Sequence, residues 1–272
     1  FLFGCRIVLG QRFSVMEAVS FWKRVEKYQV NCFWMAPTML RMLLTVDRTR
    51  KGRSSLFGKK VKFSVGTAPL DAKLRHDFEQ AYNLRLYQSY GLSETLFLTS
   101  QCVDSPAGDH SVGKLLAGVE MRRLSDGEAS FRAPWMFLGY WSSTEKPDQS
   151  VDWYDTGDLV NGTETQLVVC GRKKDLIIKG GMNINPHDIE QCLQNVFGIT
   201  QCVVLGVPKH GDEQIVCWIA GDETTALEKQ ELNAALEKHL GRKYLLDVLI
   251  NLPELPRNLN GKLDKPRLRL EW

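Results

Sequence analysis

The chain has 272 residues, 43% of them hydrophobic and 25% charged, which leaves room for two cores and excludes a disordered or fibrous chain. Its formal net charge is only +3, and the one basic cluster, "RTRKGRSSLFGKKVK" from Arg48 to Lys62, has no aromatic interleaving. It reads as a solvated loop and not as a nucleic-acid face.

"FLFGCRIVLG" opens on the apolar pattern of a strand, in the manner of a chain entering mid-domain. Ser14 and Glu17 then have the spacing of a capping box, with Val15, Ala18, Val19, Trp22 and Val25 as the apolar stripe of a helix. "VNCFWMAPTML" predicts a buried strand, a proline break and a new helix. "VKFSVGTAPLDAKLRHDFEQAYNLRLYQSYG" repeats the scheme of strand, loop, helix and strand, which favours α/β layering. From Gly113 to Gly171 the texture changes to short strands joined by turn pairs, Asp126-Gly127 and Asn161-Gly162, so a small antiparallel sheet or barrel is expected.

Beyond "GRKKD" come a Gly-Gly turn and a helix with Pro186 at its first position and Ile189, Cys192, Leu193 and Val196 on one face. Strands over "TQCVVLGV" and "EQIVCWIAG" follow, then a helix carrying Leu232, Leu236 and Leu240, then a Pro-rich loop with Lys262. The fold class is therefore α/β. An incomplete large domain over 1–172, layered α/β plus the small antiparallel barrel, precedes a small α+β domain over 173–272, with the boundary near Arg172 to Asp175. The seven cysteines are widely spaced and set mostly among Val, Ile and Leu, as buried hydrophobes of a reducing compartment. No apolar run approaches the roughly 18 residues of a membrane span and no signal-like segment opens the chain, so a cytoplasmic protein is expected.

"YQSYGLSET", taken alone, is a strand running into a polar loop. As a site, Tyr90 offers a flat face to a base, Gly91 admits close backbone, Ser93 donates to a phosphate and Glu94 holds a divalent cation. "WYDTGDL" is good turn chemistry; as a site, Asp158 accepts hydrogen bonds from both hydroxyls of a ribose.

The succession "VGTAPL", "YGLSET", "GEASFRAPWMFLGYW", "YDTGDL", "GRKKDLIIKGGMNINPHDIE" and "PRNLNGK" resembles the adenylate-forming superfamily of acyl-CoA synthetases, adenylation domains and luciferases, over nearly the whole chain. The fifth stretch looks most like fatty-acyl and aryl-CoA ligases. The resemblance implies that backbone around Thr67, Ala68 and Pro69 contacts the adenine of ATP, with Tyr90 stacked on it and Gly91 in the same nucleotide-binding segment. It implies that Ser93 touches phosphate, Glu94 holds Mg²⁺, Asp158 binds the ribose with Arg172 beside it, and Lys174 is a hinge. Gly180 and Gly181 would line the channel for the thiol of CoA or of a carrier protein's phosphopantetheine.

In such enzymes a carboxylate attacks the α-phosphorus of ATP, and Lys262 would stabilise the charge that gathers between acid and phosphate. The small domain then rotates, withdrawing the lysine and presenting the Gly180–Gly181 face for thioester formation. Ser93 stands where Thr is more usual, and Asp188 where Glu is; hydroxyl and carboxylate are both kept. The Ser/Thr/Gly-rich phosphate loop of the superfamily is absent from these 272 residues, so an N-terminally truncated fragment of an acyl- or aryl-CoA ligase is expected. An adenylation enzyme loading a carrier protein, or a non-catalytic homologue acting as a binding module, are the alternatives.

Overall fold

The computed structural model describes residues 4–56, 58, 60–104, 108, 110–140, 152–221, 227–258 and 263–271. The chain divides into two compact units, Phe1–Thr156 with Asn161–Val169, and Gly157–Val160 with Cys170–Trp272. Among the described residues no helix is long and apolar enough to cross a membrane.

The first unit departs from expectation at its start. Residues 4–10 form no strand and are exposed, Leu9 at 89%; an apolar run becomes a strand only where a neighbour satisfies its backbone groups. The helix after Ser14 forms as α1 (Val15–Tyr28), with the Ser14 hydroxyl accepting the Glu17 N–H at 3.4 Å. The Glu17 carboxylate pairs with Arg24 instead of returning to the cap. Ala18, Trp22 and Val25 are buried, whereas Val15 and Val19 face solvent, so the buried stripe is narrower than the apolar spacing.

Next come β1 (Cys32–Met35), α2 (Pro37–Val46), α3 (Lys51–Leu56), β2 (Lys62–Val65), α4 (Ala72–Tyr82), β3 (Leu86–Leu92), β4 (Leu96–Ser100) and β5 (Lys114–Leu115). The five strands form one sheet in sequence order, parallel from β1 to β3 and antiparallel from β3 to β5. Parallel neighbours need crossovers, which α2 with α3 and then α4 supply. Pro37 begins α2, where its missing N–H has no partner to lose. Asp71 caps α4 by accepting the Leu74 N–H at 2.7 Å. Trp22, Phe33, Phe63, Phe78 and Tyr82 pack the core between these layers. Part of the basic stretch read as a loop is helical: α3 sits with Gly52 against the Trp22 indole, where a Cβ would lie 2.2 Å from the ring. The Asp47 carboxylate accepts the Lys51 and Gly52 N–H groups at 2.9 and 3.0 Å, fixing its start.

A second sheet joins β6 (Glu120–Arg123), β7 (Glu128–Arg132), β8 (Tyr154–Thr163) and β9 (Gln166–Arg172) in that order. Among the described residues it is an open sheet and not a closed barrel. Asp126-Gly127 turns β6 into β7 as expected, the Gly127 N–H donating to Leu124 O at 3.0 Å. Asn161-Gly162 does not turn the next pair; it lies inside β8, and the turn is Glu164-Thr165. Gly162 has φ of +83° and approaches Gln166 O so closely that a Cβ would sit 2.2 Å away, so it serves a distortion of the strand.

In the second unit a short hairpin, β10 (Ile177–Lys179) and β11 (Met182–Ile184), leads into α5 (Pro186–Phe197), β12 (Cys202–Lys209), β13 (Asp212–Ala220), α6 (Lys229–His239), β14 (Val248–Leu252) and α7 (Lys265–Leu270). The sheet order is β12-β13-β14, antiparallel then parallel. Ile189 and Leu193 of α5 and Leu232 and Leu236 of α6 cover one face, against Val204, Ile215, Cys217 and Ile219. Leu268 of α7 and Leu255 cover the other, against Val203, Leu205, Val216 and Trp218. Burial on both faces explains why "CVVLGV" and "IVCWIA" are continuously apolar and not alternating. Val196, expected on the buried face of α5, is 44% exposed.

Candidate functional site

Open α/β sheets bind ligands beyond the carboxyl ends of their strands, and in the first unit that edge is where two of the singled-out motifs lie. Thr67, Ala68 and Pro69 follow the end of β2, and Tyr90 to Glu94 run off the end of β3; the two strands pair in parallel with Val65 beside Gln88. The Ser89 hydroxyl donates to Val65 O at 3.4 Å. Thr67 has φ of +71°, a left-handed conformation that is unfavourable for a β-branched residue and that concentrates at functional loops. Tyr90 is half-buried, its ring 6.1 Å from that of Phe131. Gly91 does admit backbone, but that of its own hairpin: a Cβ there would lie 1.7 Å from Leu96 O. The bulge between Tyr90 and Gly91 re-aims the strand at this point.

Ser93, Glu94 and Thr95 form the tip between β3 and β4. Thr95 is fully buried and its hydroxyl accepts the Leu92 N–H at 3.1 Å, which locks the tip. Ser93 is exposed. Glu94 Oε1 accepts the Tyr140 hydroxyl at 2.8 Å, Tyr140 and Tyr154 meet oxygen to oxygen at 3.0 Å, and Glu94 O accepts the Phe137 N–H at 2.8 Å. Tyr140 and Tyr154 had no assigned role in the sequence reading; the signal for them was that one closes "GEASFRAPWMFLGY" and the other opens "YDTGDL". Trp34 and Phe97, packed edge to face at 5.9 Å and about half exposed, add an apolar surface that sequence reasoning also missed.

Among the described residues no group of three or more His, Cys, Asp or Glu side chains could hold a metal ion. One carboxylate beside a hydroxyl is instead a donor set that suits Mg²⁺ carried largely by substrate phosphates.

Asp158, on β8, is 4% exposed, and its Oδ1 lies 2.8 Å from Nε of Arg172 at the end of β9. These two residues, 14 apart in the sequence, are brought together as an oriented carboxylate–guanidinium pair. Lys174 is exposed, in a single 3-10 turn over Lys173–Asp175.

Gly180 and Gly181 are the two-residue turn of the β10–β11 hairpin, with φ of +57° and +74°, the geometry a primed turn requires. No atom lies within 4 Å of a Cβ built on either, so their outer face is open. The turn is held from below: the Gly180 N–H donates to the Asp212 carboxylate at 3.0 Å, the Ile178 N–H to Glu213 at 2.6 Å, and Lys179 Nζ sits 2.6 Å from Asp247. Lys262 lies outside the described residues. Arg257 and Leu263 on either side of it pair as a single antiparallel bridge, and Lys265 Nζ is 2.5 Å from the carboxylate of Asp175.

The family model for the AMP-binding enzyme matches residues 1–141. An oxalate–CoA ligase of Arabidopsis thaliana is 28% identical over 93% of this chain and 52% of its own length. A 2-hydroxy-7-methoxy-5-methyl-1-naphthoate–CoA ligase of Streptomyces carzinostaticus is 27% identical over 90% of this chain and 47% of its own. ATP-bound MatB from Rhodopseudomonas palustris has the same fold, with a TM-score of 0.81 and 25% identity over 97% of this chain and 54% of that one. The chain thus spans about half the length of the curated relatives it matches.

Proposed function

Since the chain belongs to the AMP-binding enzyme family, we propose that it is the C-terminal portion of an ATP-dependent acid–CoA ligase, which converts a carboxylic acid to its acyl-adenylate and then to a CoA thioester. The observation that carries this reading is the pairing of Asp158 with Arg172 in a chain whose relatives are acid–CoA ligases along nearly its whole length. A carboxylate oriented by a guanidinium is an acceptor of the geometry that two vicinal hydroxyls call for. The strained turn at Thr67 and the ring of Tyr90 supply a platform for the adenine.

Ser93 and Glu94 take the phosphate side. When bound, Mg²⁺ supplies neutralisation of the phosphate charge, and Glu94 is the residue that holds it. Residues 1–172 act as part of the large nucleotide-binding domain and 173–272 as a small domain that swings about Lys174. The swing aims Lys262 at the forming acid–phosphate bond and then offers the open Gly180–Gly181 turn to the thiol. Trp34 and Phe97 give the acid an apolar wall.

In the full-length protein, a panel of aliphatic and aromatic acids tested for ATP-dependent pyrophosphate release should yield at least one substrate. Asp158→Ala should weaken ATP and AMP binding alike, by about 10- to 100-fold for a lost charged hydrogen-bonding group. Calorimetry that finds both nucleotides bound as tightly as by the parent would remove the ribose role.

A further inference from the structure

Glu94 sits on a three-residue tip at the end of a long, rotatable side chain, yet its carboxylate has a single orientation set by two residues far away in sequence. Tyr140 donates its only phenolic proton to Glu94 Oε1 at 2.8 Å. The hydroxyl contact of 3.0 Å with Tyr154 must therefore run the other way, Tyr154 donating and Tyr140 accepting. The result is a directed chain, Tyr154 to Tyr140 to Glu94, in which each hydroxyl polarises the next.

Phe137 holds both rings in place: its own ring meets that of Tyr140 edge-on at 5.0 Å and 72°, and that of Tyr154 at 5.5 Å and 86°. The same residue ties the segment to the tip by donating its N–H to Glu94 O at 2.8 Å. Two residues earlier, Trp135 Nε1 donates to Phe97 O on β4 at 3.2 Å. Residues 135–140 are thus laid against the β3–β4 hairpin by three separate hydrogen bonds.

We infer that Tyr140 and Tyr154 are positioning residues for the cation site. Tyr140 occupies one oxygen of Glu94 and turns the other toward the divalent ion that accompanies ATP, and Tyr154 keeps Tyr140 in its donating orientation. The inference rests on the reading of Glu94 as the magnesium ligand. Its physical basis is that a ligating carboxylate hydrogen-bonded by an outer partner enters the metal's sphere already ordered, and removal of such a partner typically weakens metal affinity by about 10- to 100-fold. Tyr140 is 66% exposed and contributes little to the core, so deleting its hydroxyl leaves the fold in place.

The test is a titration of the full-length protein with Mn²⁺, followed by electron paramagnetic resonance at fixed ATP, for the parent, Tyr140→Phe, Tyr154→Phe and Glu94→Gln. Tyr140→Phe should weaken Mn²⁺ binding about tenfold and Tyr154→Phe by less, while ATP binding measured in a chelator stays at the parent value. Excess Mg²⁺ should restore kcat in Tyr140→Phe but not in Glu94→Gln. Parent-like Mn²⁺ affinity in Tyr140→Phe, with Glu94→Gln weakened, overturns the positioning role and leaves the site intact. Weakened ATP binding without metal in Tyr140→Phe also overturns it, because the tyrosine then supports the nucleotide pocket generally. Parent-like Mn²⁺ affinity in Glu94→Gln removes the reading of Glu94 itself.

Discussion

At Gly91 the two strands of the candidate phosphate hairpin meet so closely that a Cβ would lie 1.7 Å from the Leu96 carbonyl oxygen and 2.7 Å from its carbon. Both are backbone atoms, which cannot step aside as a flexible side chain does. Gly91→Ala must therefore open the hairpin, at about 1–3 kcal/mol, and the opening displaces Ser93 and Glu94. Urea unfolding should show that loss, and ATP binding should fall with it. A stable Gly91→Ala protein with parent-like ATP affinity would show that the tip tolerates separation of the strands. The residue scale is also where sequence was most uneven. The pairing of Asp158 with Arg172 was legible through the resemblance of their two motifs, since a carboxylate beside a Gly turn is also ordinary turn chemistry. Tyr140 was not, because its place at the close of a motif suggests no role until its hydroxyl is seen beside Glu94. Nor was Arg75, which the sequence reading gave no role and which is 5% exposed and donates to Leu86 O and to Gln88 and Gln101 side chains at 3.0 to 3.2 Å.

Among the elements, α5 shows what periodicity carries and where it stops. Pro186 at the first position was read from the sequence as helix punctuation; the structure adds Asn185 as the cap, accepting the His187 N–H at 3.2 Å, and Gly198 at φ +70° past the end. The breadth of the buried face was not, because spacing marks which residues share a side of the helix but not how far a neighbouring sheet reaches around it; Ile189 and Leu193 are fully buried and Val196 is not. The same limit applies to Val15 and Val19 on α1. The turn at Glu164-Thr165 escaped for another reason: Asn161-Gly162 has the composition of a turn, yet the backbone uses that glycine's positive φ inside β8. Burial makes a quantitative contrast within α5. Leu193→Ala should lower stability by about 2–5 kcal/mol and Val196→Ala by well under 1 kcal/mol, read from chemical denaturation midpoints at constant slope. Equal losses would mean that the α5 face is packed more widely than its exposures indicate.

For the whole molecule, the proposal divides labour between an activation step that needs a positive charge at the phosphate and a thiol step that needs an open path. The two demands fall on different parts of the second unit: Lys262 near its end, and the Gly180–Gly181 turn braced by Asp212, Glu213 and Lys179–Asp247. A substitution that affects one should therefore leave the other. On the proposed reading, Lys262→Ala removes a donor that acts only while charge builds between acid and α-phosphate. Loss of such a donor typically lowers the rate about a hundred- to a thousand-fold. In the full-length protein, adenylate formation measured by pyrophosphate release should fall by that factor. Conversion of a supplied acyl-adenylate and CoA to thioester should stay near the parent rate. Because the two assays share the protein, the adenylate and the fold, a structural defect would depress both, and equal depression would remove the account of a lysine that serves the first step alone. A selective loss would place the lysine in the first step alone, the division of labour that the proposed swing of the small domain needs.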